Sequence, residues 1–208
     1  MTYNVYIVKI PIINIGVEEF RLGSSIGRYT SNRRMKKIIL TGLMIAMVFV
    51  VTFFTKIPGP VGYFNLGDAA IIVAAVMLGR NSGFIAGAFG SALADLLGGY
   101  IVFAPITFFV KGLEGFIVGY IIYKFISKET PKEGTVRLIA VIAGCIFMVV
   151  GYFLGEAYIL RIISTEYGLT KAILDLPFNV VQGVASAIVG YLIASALVKT
   201  KVLDLILE

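Results

Sequence analysis

Histidine and tryptophan are absent from the chain, and cysteine occurs once, at Cys145. The lack of histidine removes imidazole acid–base chemistry and histidine-ligated metal sites. A single cysteine allows no intrachain disulfide, and its place inside an apolar run reads as a small buried hydrophobe. Charge is scarce too. Asp, Glu, Lys and Arg make up 14% of the 208 residues, against roughly 25% in soluble domains. No nucleophile stands beside a base, and the glycine-rich GRNSGFIAGAFG lacks the Lys–Ser/Thr ending of a phosphate loop. These gaps point away from an enzyme, from a bound metal or cofactor and from ATP hydrolysis by this chain.

Apolar residues are abundant: 59% of the chain is hydrophobic and the mean hydropathy is +0.95. One soluble core of this size does not hide that much apolar surface, whereas a bilayer removes the need to. The expected fold is therefore an all-α membrane protein of six transmembrane helices. The spans fall at about 38–56, 67–79, 82–98, 102–123, 137–155 and 172–198. IPGPVGYFNLGD, after span one, carries two prolines and three glycines and reads as a structured loop. The tight turn before span three is expected at Arg80-Asn81-Ser82, and EAYILRIISTEYGLTK after span five as a short interfacial helix. The segment 67–98 also fits one re-entrant pair of short helices.

The formal charge of +6 comes from basic residues between apolar runs, with no basic stripe or nucleic-acid motif, so nucleic acid is not an expected partner. With the N-terminus inside, the inner segments hold Arg33, Arg34, Lys36, Lys37, Arg80, Lys124, Lys128, Lys132, Arg137, Lys199 and Lys201. The outer ones hold only Lys56, Arg161 and Lys171. That bias puts both termini in the cytoplasm. Residues 1–35 then form a cytoplasmic N-terminal extension, 36–201 the six-helix domain, and 202–208 a cytoplasmic tail.

Small residues recur four apart at Gly42 and Ala46, at Gly83, Gly87 and Ser91, and at Gly115 and Gly119. This spacing lets helices approach closely. Polar residues gather in the outer half. Lys111 and Glu114 share a face of span four, with Lys111 roughly 13 Å deep. Asp175, Asn179 and Gln182 form one stripe on span six. Asp95, Glu156, Asn65 and Asp68 lie near outer ends.

Two readings fit these groups. One is a structural Lys111–Glu114 ion pair, with Asn179 and Gln182 as interhelical hydrogen bonds and Asp68 capping span two. The other, favoured, is an outward-open pocket for a small polar ligand, walled by Phe103, Phe108, Phe109, Tyr152, Phe153 and Phe178.

The small-residue span one, GPVGYFNLGDAA, GSALADLLGGY, TFFVKGLEG and LPFNVVQG together resemble the substrate-binding (S) component of energy-coupling factor (ECF) vitamin transporters. The closest resemblance is to the riboflavin, hydroxymethylpyrimidine and pyridoxine-type branch. The resemblance implies a six-helix S-component bundle that binds a vitamin from outside. It also implies association with a membrane T component and two cytoplasmic ATPase subunits, which use the ATP. The T-component contact would fall on Gly42 and Ala46. The pocket would use Tyr63, Asn65, Lys111, Glu114, Tyr152, Glu156, Asn179 and Gln182. The absence of tryptophan argues against thiamine or biotin and leaves a hydroxymethylpyrimidine- or pyridoxine-like ring first, with riboflavin next. The competing expectations are a gradient-driven transporter acting alone, although no paired halves are visible, and a structural membrane protein without ligand.

Overall fold

The computed structural model describes residues 15–126 and 133–200, with side chains from residue 34 onward. The 202–208 tail, residues 1–14 of the extension, and Lys128, Lys132 and Lys201 of the charge count lie outside the described residues.

Helix α1 (Ile15–Phe54) is unbroken over 40 residues, because no proline interrupts it before Pro58. The helix carrying span one thus begins inside the 1–35 segment. A hairpin of two short strands follows, β1 (Ile57–Pro58) and β2 (Tyr63–Phe64), paired antiparallel with Ile57 opposite Phe64. It is the structured loop expected from the Pro/Gly run.

Helices α2 (Gly67–Leu78) and α3 (Arg80–Leu97) are joined by a single residue, Gly79. Gly79 has φ +86°, which a residue with a Cβ adopts only at a cost, so the chain turns there rather than at Arg80-Asn81-Ser82. Arg80 is the first residue of α3. At 12 residues α2 is roughly 18 Å long, too short to cross about 30 Å of hydrocarbon. It is almost entirely buried instead, packed against α1, α3, α4 and α7 at the centre of the bundle.

Helices α4 (Ala104–Phe125) and α5 (Glu133–Leu154) complete the middle of the chain. The segment after α5 is not a separate interfacial helix. It continues through one π-helical turn, Gly155–Ile159, into the short α6 (Leu160–Ile163). The stretch from Ala157 to Ile163, apolar but for Arg161, lets the helix go on, and the wider turn carries Glu156. Helix α7 (Leu169–Lys199) runs through Pro177 without a break.

Among the described residues four segments are long and apolar enough to cross a membrane: Arg34–Phe54, Ala104–Phe125, Glu133–Ile163 and Leu169–Lys199. Large apolar side chains such as Ile38, Phe54, Ile139, Val181 and Leu192 face outward, as they do when lipid is the solvent.

The glycine pattern does its packing mainly between α3 and α4. A Cβ on Gly83 would come within 2.8 Å of the Gly115 carbonyl oxygen, so these backbones touch directly. Gly42 on α1 is different. It is exposed and has no neighbour within 4 Å of where its Cβ would stand. Ala46, one turn further on, is exposed as well.

Candidate functional site

Polar residues of three helices and Asn65, just after the hairpin, meet in one buried network. Asp68, in the first turn of α2, is fully buried and ion-pairs with Lys111 of α4. The Gln182 amide of α7 donates to the other Asp68 oxygen at 2.9 Å. Its carbonyl accepts from the Asn65 backbone N–H at 2.9 Å and from the Asn65 side chain at 3.1 Å. Asn65 Oδ1 in turn accepts from the Gly67 N–H at 2.9 Å and so starts α2. Every partner is buried, so each bond counts for more than it would in water.

Two expectations are corrected here. Lys111 does not pair with Glu114; its ammonium reaches across to Asp68 instead. Glu114 lies one turn away, with one oxygen 3.9 Å from the Cys145 sulfur and the other unpartnered. Asp68 makes no capping hydrogen bond, because its carboxylate is turned inward to Lys111 and Gln182.

This network borders a narrow cavity of about 20 Å³. Tyr63, Asn65, Lys111, Tyr152, Glu156, Asn179 and Gln182, seven of the eight pocket residues expected from sequence, line it together. Glu114 does not. Gly42 and Ala46 are elsewhere, on the outside of α1.

The wall also contains residues outside the expected set, notably Thr52, Ser91, Asp95, Thr107 and Asp175. The signal for Asp95 and Asp175 was visible, since a carboxylate in an apolar helix seldom faces lipid. Thr52 and Ser91 gave none, because hydroxyls are common in such helices. Of the aromatic walls expected, Phe103 and Tyr152 are present. Phe109 and Phe178 face outward instead, since each sits next to the inward stripe of its helix rather than on it.

Hydrogen bonds fix the shape of the cavity. Tyr63 donates its hydroxyl to Asp95 Oδ1, and Tyr152 donates to Thr107 at 3.0 Å. Asn179 donates to Asp175 Oδ2 at 3.3 Å. The Lys111 ammonium lies 5.3 Å from the centre of the Tyr152 ring. At the rim, Lys56 donates to the Ala94 carbonyl at 2.7 Å and sits 4.5 Å from the Tyr63 ring centre.

Burial holds the Lys56 ammonium below its ordinary pKa, and the attraction of Asp95 only partly offsets that. Burial, reinforced by the Asp95 carboxylate, pushes the Tyr63 phenol well above its ordinary range. Tyr63 is therefore a hydrogen-bond donor at any physiological pH. Among the described residues no group of three or more His, Cys, Asp or Glu side chains is placed to hold a metal. The arrangement suits recognition of a small polar molecule by buried, fixed hydrogen-bonding groups.

Residues 32–199 match the family of the ECF-type riboflavin transporter, S component. The chain belongs to this family. It is the substrate-binding component of an ECF-type vitamin transporter, energised by a partner ATPase module. It is a multi-pass membrane protein, as its long apolar helices require.

A protein of Pyrococcus woesei, named as an uncharacterised protein in the gap 3′ region, is 40% identical over 145 residues. The match covers 69% of this chain and 88% of that protein. The structure of the S component of a bacterial ECF transporter superposes with a TM-score of 0.60 at 22% identity. It covers 80% of this chain and 98% of that one. At that identity the likeness speaks for the fold: an all-α bundle of the S-component type.

Proposed function

We propose that the chain captures riboflavin from the outer face of the membrane and holds it in the cavity beside the Asp68–Lys111 pair. The observation that carries this reading is the gathering of Tyr63, Asn65, Lys111, Tyr152, Glu156, Asn179 and Gln182 around one buried space. Side chains from residue 63 to residue 182 converge there, and the matching family is described by riboflavin. A polyhydroxylated chain on a flat heteroaromatic ring suits such a wall of amides and carboxylates. The narrowness of the cavity favours a second reading, a smaller ring such as hydroxymethylpyrimidine or pyridoxine.

In this account the chain crosses the bilayer six times with both termini in the cytoplasm. The short α2 makes the second crossing only together with the hairpin that precedes it, and α3 makes the third. Energy comes from a T component and two ATPase subunits. The T component docks on the exposed Gly42–Ala46 face of α1, where small side chains leave room for another helix.

The test is mass spectrometry of small molecules that co-purify with the folded protein. Riboflavin is the expected species. Hydroxymethylpyrimidine or pyridoxine would select the second reading, and repeated absence of any vitamin would refute both.

A further inference from the structure

The unpartnered polar atoms of the bundle are not scattered. Five of the eight buried side-chain oxygens and nitrogens without a hydrogen-bond partner belong to residues lining the cavity: Thr52, Ser91, Asp95, Glu156 and Asp175. Each of these side chains is more than nine-tenths buried. A buried acceptor without a donor costs stability, so a fold keeps such groups only where something else satisfies them.

Asp95 Oδ2, Glu156 Oε2 and Asp175 Oδ1 are carboxylate oxygens, and the two hydroxyls can accept as well. The one ammonium in the wall, Lys111, is already committed to Asp68.

They also fall into two groups. Thr52 lies on α1, and Ser91 and Asp95 lie on α3, which packs against α1. Glu156 sits on the π-helical turn after α5, and Asp175 on α7, which packs against α5. Helices α2 and α4 stand between the two pairs. The first group is braced by Tyr63, which occupies Asp95 Oδ1 and leaves Oδ2 without a partner. In the second, Asn179 does the same for Asp175 by binding Oδ2 and leaving Oδ1.

We propose that Asp95, Glu156 and Asp175 bind the ligand directly, and that the ligand is a hydrogen-bond donor at both ends. One end is held by Asp95 with Thr52 and Ser91, the other by Glu156 with Asp175. A heteroaromatic ring bearing an N–H or amino group, joined to a hydroxyl-bearing chain, has that form. The proposal rests on the reading of this cavity as the vitamin site.

The experiment is calorimetric titration of the full chain in detergent with riboflavin and with lumichrome, which keeps the tricyclic ring skeleton in its alloxazine form and lacks the ribityl chain. Asp95→Asn, Glu156→Gln and Asp175→Asn keep shape and remove the carboxylate. Each is expected to weaken riboflavin at least tenfold. Lumichrome is expected to lose affinity on substitution at one end only, because it has donors for one end only. Thr52→Val and Ser91→Ala remove hydroxyls that hold no partner, so they keep the fold and should weaken riboflavin at least threefold.

If all five variants bind riboflavin within twofold of the parent, the proposal is overturned while the vitamin-binding reading stands. Equal weakening of lumichrome at both ends overturns the two-ended arrangement. If the folded parent binds neither compound, the proposal and the riboflavin reading fall together.

Discussion

Replacement of Lys111 by methionine tests the buried network most sharply. The ammonium is buried and paired with an aspartate that is wholly inaccessible. Methionine keeps the length of the side chain but removes its charge. Asp68 would then retain one hydrogen bond, from Gln182 at 2.9 Å. Breaking one partner of a buried pair costs on the order of 3–5 kcal/mol, and the remaining bond places this case at about 3 kcal/mol. For a chain of this size that loss lowers Tm by about 6–12 °C. The assay is thermal unfolding in detergent without ligand, on Lys111→Met, Asp68→Asn and the double variant. The double variant has no unpaired charge and should recover more than half of the Lys111→Met loss. A Lys111→Met shift under 2 °C, or a double variant no more stable than Lys111→Met, would refute the pairing.

Gly83→Leu forces a side chain into the α3–α4 contact and should destabilise by about 1–3 kcal/mol or more, measured by thermal melting. Gly42→Leu meets open space and should leave melting and riboflavin binding unchanged while stopping ATP-driven uptake by vesicles holding the whole transporter. Asn179→Ala removes a cavity-wall amide and should weaken riboflavin about tenfold in a fluorescence-quenching titration. Glu114→Gln lies off the cavity wall and should leave that affinity within about threefold.

The bundle and most of its cavity could be read from residue types alone. Apolar runs marked the long helices, and polar residues inside them marked the inward faces, as with Asp175, Asn179 and Gln182 at spacings of four and three. Pairing was harder to read. Lys111 and Glu114 share a helix face, yet the lysine finds Asp68 across the bundle, 43 residues away in sequence. Spacing reports neighbours on one helix and says nothing of which side chain another helix brings closer.

The continuation of α5 through Gly155–Ile159 was hidden for a related reason. Glu156 and Arg161 look like the polar edge of a membrane span, but Glu156 is turned into the cavity. The helical reach of α1 back to Ile15 was obscured by the polar, glycine-bearing composition before Arg33. Hydropathy detects lipid contact and misses a helix that extends beyond it.

The most direct test of the central claim is a titration of the purified chain alone, without ATP or any partner, using riboflavin fluorescence as the signal. A binding subunit whose site is complete within one chain should quench riboflavin saturably at one molecule per chain. It should do so more weakly once Asn179 is replaced by alanine. A folded, monodisperse chain that leaves riboflavin fluorescence unchanged, and releases no vitamin on denaturation, would contradict the account.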